Sequence, residues 1–380
     1  MRVLVSAGEA SGDRYAAQLV EALRRRWPEA EFYGCTGPRM REAGVRTVVD
    51  TASLAVVGLV EVVAHIPRIY REFRKIVRTV REQRPDFAIL TDSPDFHLRL
   101  ATKLKRLGIP VFYLVAPQVW AWRRGRVKTM RRVLDHVFCI FPFEEEFFRI
   151  HGVPATYIGH PLAAVTRPAL TKEAFFRKHR LPEGRPLVTL LPGSRRGEAA
   201  RHLPPLLDAV DRLYRERALS FILPASTTTG AAFFRERIAA APIQVIEGET
   251  ADAIAHAGVA LAASGTVTIE AALLGTPMVT FYRVTALSWT LGKLLVDIPF
   301  YCMVNLVAGT KVVPELMQSE MTGERLAGEV ARLLDDAAAR SAMRAGLAEV
   351  AQRLTVDGDP IEHAAAWIED RRREFANHVS

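Results

Sequence analysis

Hydrophobic and polar positions alternate along this chain in two modes: short apolar runs rich in valine, isoleucine and leucine, and longer stretches with helical spacing. The apolar runs of the first half predict strands at 2–7, 31–34, 87–91, 111–115, 136–140 and 156–159. Those of the second half predict strands at 187–191, 220–223, 244–246, 259–263 and 278–282. Helical spacing predicts helices at 144–151, 198–217 and 323–334. This alternation predicts an α/β protein with mostly parallel sheets.

Two of the predicted strands end in a tight turn of small residues that leads into an amphipathic helix. Residues 8–13 (Gly-Glu-Ala-Ser-Gly-Asp) follow the first strand, and residues 192–195 (Pro-Gly-Ser-Arg) follow the strand at 187–191. The chain therefore begins a nucleotide-binding type of sheet twice. Two such Rossmann-like domains facing a cleft suit two substrates, one of which can be a nucleotide. The first turn is neither a dinucleotide fingerprint nor a Walker loop, which argues against NAD and ATP.

The length of 380 residues exceeds what one hydrophobic core usually supports. We predict a first domain at 1–165, a second domain at 173–345 and a helical tail at 346–380. The tail is expected to pack back on the first domain or on a partner subunit. A composition of 49% hydrophobic and 24% charged residues is that of a globular protein.

The net charge and the cysteines indicate the type of partner and the cellular compartment. The net charge of +9 favours an anionic partner, which can be a phosphate ligand, an anionic membrane surface or a nucleic acid. The three cysteines are widely spaced and suggest a reducing compartment. Met1 leads directly into a strand without the apolar segment of a signal peptide, so we expect a cytoplasmic protein.

An apolar run at 52–63 and a basic helix after it interrupt the alternation. The run is too short to cross a bilayer and contains Glu61. Pro67 is predicted to be the first residue of the helix that follows. Its two faces are apolar (Ile66, Ile69, Tyr70, Phe73, Ile76, Val77 and Val80) and cationic (Arg68, Arg71, Arg74, Lys75, Arg78 and Arg81). Such a helix is either a solvated surface helix or one that docks on anionic lipid headgroups.

Two segments of the second half suit an anionic ligand. Ser264, Gly265 and Thr266 follow a strand, so a helix starting there would offer N–H groups and hydroxyls to a phosphate. Glu270, one turn later, can accept hydrogen bonds from ribose hydroxyls. The alternative is a helix cap by Ser264 or Thr266, with Glu270 facing solvent.

The other segment is the turn that contains Gly193, Ser194 and Arg195. The glycine and serine resemble an anion-binding turn, and the guanidinium can neutralise charge on a departing diphosphate. The alternative is an ordinary surface arginine.

Asp92 is the candidate for proton transfer, because it follows the apolar strand at 87–91, where open α/β sheets carry catalytic groups. A carboxylate there can take a proton from an attacking hydroxyl. Alternatively, Asp92 or Ser93 caps a helix that begins at Pro94.

Polar residues of two other first-half segments are candidate ligands. Glu9, Ser11 and Asp13 can bind sugar hydroxyls, unless they only cap a turn. Segment 116–128 interleaves two tryptophans with cations, and its substrate-binding candidates are Gln118 and Trp120. The alternative is a packed aromatic pair beside a solvated basic helix. No cluster has metal-ligand spacing, so we expect neither a metal nor another cofactor.

Taken in order, nine segments resemble the lipid-A-disaccharide synthase family. They are 8–13, 37–40, 92–96, 117–122, 141–144, 159–162, 191–195, 264–266 with Glu270, and 305–309. The resemblance implies a GT-B fold and inverting transfer of 2,3-diacylglucosamine from its UDP derivative to the 6-hydroxyl of lipid X. It also implies that Asp92 is the general base, that Ser11 contacts the donor, and that Arg195 and Asn305 lie around UDP. The ribose role of Glu270 is an analogy between GT-B enzymes.

The resemblance further implies action at the cytoplasmic face of the inner membrane, with 52–63, the basic helix and 287–300 facing lipid, and it allows a C-terminally swapped homodimer. Three alternatives stay open. One is another UDP-sugar enzyme, either a transferase acting on a polyprenyl lipid acceptor or an epimerase. Another is a non-catalytic peripheral membrane module. A nucleic-acid binder is disfavoured because the cations are dispersed.

Overall fold

The computed structural model describes residues 1–54, 59–238, 240–296 and 298–377. The chain forms two compact units, Met1–Ala164 with Val356–Ser380, and Val165–Thr355. The return of the chain to the first unit comes later than the predicted tail start at 346, because the helix that spans this position continues to Leu354 within the second unit.

Thirteen strands occur in the described part of the chain. They are β1 (Arg2–Ala7), β2 (Glu31–Thr36), β3 (Arg46–Asp50), β4 (Phe87–Thr91), β5 (Val111–Leu114), β6 (His136–Cys139), β7 (Ala155–Tyr157), β8 (Leu187–Leu191), β9 (Ser220–Ala225), β10 (Ile243–Glu247), β11 (Val259–Ala263), β12 (Met278–Tyr282) and β13 (Glu315–Met317). The sequence missed β3 and β13, because β3 has polar ends and β13 is only three residues long.

The same ranges contain seventeen α-helices. They are α1 (Ala10–Arg26), α2 (Pro38–Glu42), α3 (Leu59–Gln83), α4 (Pro94–Arg106), α5 (Arg126–Val133), α6 (Pro142–Ile150), α7 (Pro161–Val165), α8 (Lys172–Lys178), α9 (Arg196–Glu216), α10 (Ala231–Ile238), α11 (Thr250–Ala255), α12 (Thr266–Leu273), α13 (Ala286–Leu295), α14 (Met303–Ala308), α15 (Gly323–Asp335), α16 (Ala337–Leu354) and α17 (Pro360–Asn377).

The first unit is built on a parallel seven-stranded sheet with the order β3-β2-β1-β4-β5-β6-β7. Most strand residues are buried on both faces, as expected for a sheet covered by helices. The strand order reverses between β1 and β4, and Ala7 pairs with Thr91 at their ends. The turns that follow these strands, at Gly8 and Asp92, therefore leave the sheet side by side. Such a switch point is where open α/β sheets bind ligands.

Helix α17 packs within the first unit. Trp367 stacks on His136 with ring centroids 3.8 Å apart. Arg26 of α1 donates to Glu362 at 2.6 Å and to Glu369 at 3.1 Å. An aromatic contact and a shared ion pair therefore join this helix to both the sheet and α1.

The second unit repeats the plan with a parallel six-stranded sheet of order β10-β9-β8-β11-β12-β13. Its strand order reverses between β8 and β11, so the turns after Leu191 and Ala263 are neighbours. The prediction of two α/β units with parallel sheets is confirmed.

The basic helix begins earlier than predicted. Helix α3 starts at Leu59, so Pro67 lies inside it rather than at its first turn. A proline inside a helix removes one backbone hydrogen bond, and here the helix continues through it. Residues 55–58 of the apolar run lie outside the described residues. Over the described ranges, none of the helices combines the length and apolar character needed to span a membrane.

Candidate functional site

Asp92 is held at the switch point of the first sheet by the neighbouring turn. Its carboxylate accepts hydrogen bonds from the main-chain N–H of Gly8, at 2.7 Å, and of Glu9, at 3.0 Å. A Cβ atom added to Gly12 would lie 1.7 Å from Asp92 Oδ2, and one added to Gly8 would lie 2.9 Å from Oδ1. These glycines are required because the backbone approaches the carboxylate so closely.

The surroundings of Asp92 change its protonation. Burial raises the pKa of this carboxyl from 3.8 to about 7, while the N–H groups of Gly8 and Glu9 pull the pKa down and the charge of Glu9 pushes it up. A carboxylate with a pKa near the working pH can accept a proton and release it again, which a general base requires.

The alternative that Asp92 or Ser93 caps α4 is wrong. Ser93 precedes α4 without a capping hydrogen bond from its side chain. The carboxylate of Asp92 instead points to the β1–α1 turn. Both residues have positive φ values, 55° for Asp92 and 38° for Ser93, an uncommon conformation for side-chain-bearing residues.

Two residues that the sequence did not single out hold the main chain of Asp92, and a third bonds one of them. Its carbonyl oxygen accepts from Nδ1 of His97, at 2.8 Å, and from the hydroxyl of Tyr113. Nε2 of His97 contacts the hydroxyl of Ser6 at 2.8 Å. All three residues are buried. In the sequence, these residues are visible only as polar side chains within otherwise apolar strand and helix patterns. Such a pattern does not distinguish a residue that positions a catalytic group from an ordinary core residue.

The β1–α1 turn divides its polar residues between surface and interior. Glu9 and Ser11 are exposed, as a ligand contact requires. Asp13 is buried and accepts from the N–H groups of Gly37 at 2.8 Å, Arg39 at 2.9 Å and Met40 at 3.2 Å. Both carboxylate oxygens of Asp13 thus cap α2. The expectation that Asp13 binds a sugar is corrected to this structural role.

Trp120 is part of the core rather than an exposed ligand platform. Its Nε1–H donates to Glu144 at 3.0 Å, and its ring packs edge-on against Phe143 with centroids 4.9 Å apart. The role proposed for Trp120 in binding substrate is therefore corrected to packing. Gln118, in the same segment, is exposed.

The neighbouring tryptophan is the exposed one. Trp122 is 38% exposed. The guanidinium carbons of Arg123 and Arg126 lie 4.7 Å and 5.3 Å from its ring centroid. Both arginines also pair with Asp95, one turn after Asp92. This segment stood out in the sequence for its tryptophans and cations, but the predicted ligand was Trp120 rather than Trp122, and the pairing with Asp95 was not foreseen.

In the second unit, α12 begins without a side-chain cap. Gly265 precedes the helix, and no side-chain hydrogen bond caps this end. Ser264 donates instead to the carbonyl of Tyr301 at 2.8 Å. The alternative of a cap by Ser264 or Thr266 is therefore wrong. Gly265 and Thr266 are exposed and Glu270 is half-buried one turn later, so an anion can approach the positive end of the helix.

The turn before α9 lies beside this helix end in the sheet order. The carbonyl of Ser194 accepts from the hydroxyl of Thr229 at 2.6 Å, which fixes the turn. Gly193 has φ 112°, and a Cβ there would lie 2.6 Å from the carboxyl carbon of Glu198. Arg195 is exposed directly before α9. An exposed arginine and the N-termini of α9 and α12 thus follow the two adjacent strands of the second switch point.

Asn305 has a structural role. It is fully buried, and its Nδ2 donates to Val313 O at 2.9 Å and to Glu315 Oε1 at 2.7 Å. Its Oδ1 accepts from the N–H groups of Val312, at 2.8 Å, and Val313, at 2.9 Å. These four bonds use the full capacity of the amide. The role around UDP that the resemblance implied is therefore corrected to tying α14 to the start of β13 and the segment before it.

The described residues contain no group of three or more histidine, cysteine, aspartate or glutamate side chains placed to hold a metal ion. The polar groups at the two switch points are the chemically distinctive features described above. One set suits proton transfer and the other suits an anion.

Comparison with known proteins shows which family has similar sequences. The family model described as lipid-A-disaccharide synthetase matches residues 3–356. The lipid-A-disaccharide synthase of Solibacter usitatus (strain Ellin6076) is 66% identical over 379 residues, covering 100% of both chains. That of Myxococcus xanthus (strain DK1622) is 42% identical over 371 residues, covering 97% of each.

Solved structures support the fold. A putative UDP-N-acetylglucosamine 2-epimerase from Listeria monocytogenes has a TM-score of 0.65 at 16% identity, covering 98% of this chain and 97% of that one. Acinetobacter baumannii MurG has a TM-score of 0.57 at 15% identity, covering 97% and 99%. At this identity the likeness concerns the fold alone, and it confirms the predicted GT-B class.

Proposed function

Because the chain belongs to the lipid-A-disaccharide synthase family and is thus a glycosyltransferase, we propose that it joins UDP-2,3-diacylglucosamine to lipid X, which is 2,3-diacylglucosamine 1-phosphate. The products are the β-1,6-linked disaccharide 1-phosphate and UDP. The observation that carries this proposal is that a carboxylate, that of Asp92, lies at the first switch point and has its pKa raised to about 7. The α linkage of the donor and the β linkage of the product require inversion at the anomeric carbon.

Asp92 acts as the general base in this proposal. The 6-hydroxyl of lipid X attacks the anomeric carbon of the donor while the bond from that carbon to UDP breaks, and Asp92 takes the hydroxyl proton. The two N–H groups on its carboxylate keep one geometry, so little reorganisation is needed at the moment of transfer. Glu9, Ser11 and Gln118, which are exposed in the same unit, are the proposed sugar contacts.

The second unit binds UDP in this proposal. The N-terminus of α12 holds the diphosphate, together with Ser194, Gly265 and Thr266. Ser264 is not among these groups, because its hydroxyl donates to the carbonyl of Tyr301 and its N–H to the carbonyl of Phe281, each at 2.8 Å. Glu270 holds the ribose, and Arg195 stabilises negative charge that develops on the leaving UDP. Exposure of Arg195, Gly265 and Thr266 supports this assignment. In this proposal neither the binding of the diphosphate nor the departure of UDP requires a metal ion, since the guanidinium and the helix dipole supply the positive charge.

The test is product formation from the two purified substrates without added metal. UDP release should require lipid X, and mass spectrometry should find one disaccharide 1-phosphate for each UDP released. UDP release without a disaccharide, or release that does not depend on lipid X, would reject the assignment of the acceptor. Turnover with a polyprenyl acceptor in place of lipid X would favour the alternative transferase.

We also propose that the protein works at the cytoplasmic face of the inner membrane and that α3 contacts lipid. Towards its C-terminal end, the apolar face of this helix packs Ile76 and Val80 into the core. Nearer the N-terminal end, the same face leaves Ile66 (53%) and Tyr70 (61%) exposed, with arginines alongside. Exposed apolar side chains next to cations suit an anionic lipid surface.

Vesicle co-sedimentation tests this contact. Binding to phosphatidylglycerol vesicles should weaken in Tyr70→Asp and remain in Tyr214→Asp, a matched control because Tyr214 is a similarly exposed tyrosine (52%) in the second unit. Equal binding by both variants would reject α3 as the lipid contact.

The C-terminally swapped homodimer stays a prediction, and the contacts it would exchange are those of α17 with α1 and the sheet.

A further inference from the structure

The carboxylate of Asp92 is fixed by the turn before it, but its main chain is fixed by a different set of groups. We propose that His97 is a positioning residue for Asp92: its imidazole bridges Ser6 of β1 to the main-chain carbonyl of Asp92 and so holds the left-handed backbone that aims the carboxylate. This inference deepens the proposed function and rests on it for its kinetic readout.

The backbone at this point needs an external restraint. Asp92 and Ser93 both have positive φ, at 55° and 38°, and neither is a glycine. Two consecutive side-chain-bearing residues in this region are strained, and they persist only where the surroundings hold them. With an ordinary extended backbone, the carboxylate would no longer meet the N–H groups of Gly8 and Glu9.

The hydrogen bonds of His97 fix which nitrogen carries the proton. Asp92 O can only accept, so Nδ1 of His97, at 2.8 Å, is the donor. Burial lowers the pKa of His97 to about 4, against an opposing effect of the carbonyls of Asp92 and Thr91. The ring is therefore uncharged at neutral pH, and its Nε2 accepts from the hydroxyl of Ser6, at 2.8 Å.

The bridge connects the two strands of the switch point. Ser6 lies on β1, two residues before Gly8, and Asp92 directly follows β4. Through His97, the strand that leads into the carboxylate-binding turn is thus joined to the main chain of Asp92. Tyr113 on β5 donates to the same carbonyl, so two donors from different elements hold one oxygen.

A packing role alone makes a different prediction. The ring of His97 contacts Phe96 edge-on, with centroids 5.3 Å apart, and Tyr113 at 6.5 Å. A phenylalanine at position 97 would preserve such contacts while removing both hydrogen bonds. An asparagine there would place an amide donor near the position of Nδ1, and a glutamine would place its amide nearer to Nε2.

The experiment compares these substitutions by steady-state kinetics of UDP release. His97→Phe and His97→Gln should lower kcat about 10- to 100-fold, with KM for both substrates within about threefold of the wild type, since displacing a reacting group by about 1 Å costs this much. His97→Asn should recover most of the loss. Tyr113→Phe, which removes one of the two donors, should cause a smaller loss than His97→Phe.

The matched control is His136→Phe. His136 is also a buried histidine of the first unit. Its Nε2 forms a 3.0 Å hydrogen bond with the hydroxyl of Thr156, which joins β6 to β7 and is not part of the switch point. The variant should lose thermal stability without losing kcat. Wild-type kcat in His97→Phe, or equal losses in His97→Phe and His97→Asn, would overturn the positioning role.

A second readout does not depend on turnover. The ¹⁵N spectrum of histidine-labelled protein, with the His97 signals identified by their loss in His97→Asn, should show an uncharged ring protonated on Nδ1 between pH 6 and about pH 8. Protonation on Nε2 would overturn the inference. If the wild type lacks lipid X-dependent turnover but shows the expected tautomer, the proposed function fails and the bridge stands.

Discussion

The switch points of the two sheets have the same topology and opposite chemistry. At the first, between β1 and β4, a carboxylate is partly buried and held by N–H groups, and its pKa is raised to about 7. At the second, between β8 and β11, an arginine and an uncapped helix end are exposed. The strand order gives both positions access to a ligand, and the residue types decide whether that ligand loses a proton or is held as an anion.

The two sites also differ in how rigidly they are built. Asp92 is fixed at both ends, by Gly8 and Glu9 at the carboxylate and by His97 and Tyr113 at the carbonyl. At the second site the turn itself is fixed, through Thr229 and the Ser194 carbonyl, whereas the Arg195 side chain is exposed. A proton acceptor must keep one geometry, whereas a long cation can follow a leaving group. Substitutions at the first site should therefore cost more.

The largest loss is expected for Asp92→Asn. An amide keeps the shape of the carboxylate but cannot accept the proton, so kcat should fall about 100- to 10,000-fold. The measurement is the initial rate of UDP release at saturating substrates. Asp95→Asn is the matched control, because this exposed carboxylate lies one turn further on and pairs with Arg123 and Arg126. It should stay within about threefold of the wild type.

Gly12→Ala tests whether close approach matters as much as charge. The new methyl group would lie 1.7 Å from Asp92 Oδ2 and must displace it, so we expect kcat to fall about 100-fold. Alanine favours a helix more than glycine does, so helix propensity cannot explain a loss. Gly125→Ala, where a Cβ meets nothing within 4 Å, should leave kcat unchanged. Equal rates for the two variants would show that the carboxylate has room to move.

Arg195→Gln addresses the second switch point. Loss of the guanidinium should lower kcat/KM for the UDP-sugar about 10- to 100-fold, with partial recovery in Arg195→Lys. KM for lipid X should stay within about twofold of its original value, because the acceptor is assigned to the first unit. Arg196→Gln serves as the neighbouring control. A loss of the same size there would mean that general positive charge, rather than Arg195, is what counts.

The smallest effect on catalysis is expected for Asn305→Ala. Four hydrogen bonds within the second unit are lost, so the free energy of unfolding should fall by about 3 kcal/mol. UDP affinity of the folded protein should change less than about threefold. Urea unfolding and UDP titration separate the two quantities. Normal stability with lost UDP binding would restore the ligand role that the resemblance implied.

The sequence anticipated features that depend on neighbouring residues. Strand 87–91 followed by Asp92, and strand 259–263 followed by Ser264, are local patterns, and the structure has both strands at those bounds. Asp13 and Trp120 were assigned to ligands because the sequence does not distinguish a buried polar group with partners inside the protein from an exposed one. Asn305 was assigned from the family resemblance, and its four partners likewise lie inside the second unit. The partners of Asp13 lie 24 to 27 residues away, and that of Trp120 lies 24 residues away.

His97 shows the same limit in the other direction. Its partner Ser6 is 91 residues away in sequence and becomes adjacent only when β1 and β4 pair. The edge strands were missed for two reasons: β3 has polar, exposed ends, which weakens the alternation that predicts a strand, and β13 has only three residues, too few to show a pattern.

The most direct test of Asp92 as the base is the pH dependence of kcat/KM for lipid X. Only the deprotonated carboxylate accepts a proton, so kcat/KM should rise with pH and level off above an apparent pKa of about 7. This rise of kcat/KM with pH should be absent from the residual activity of Asp92→Asn. A rise with an apparent pKa near 4, or a rise near pH 7 that survives in Asp92→Asn, would contradict the assignment of Asp92 as the base.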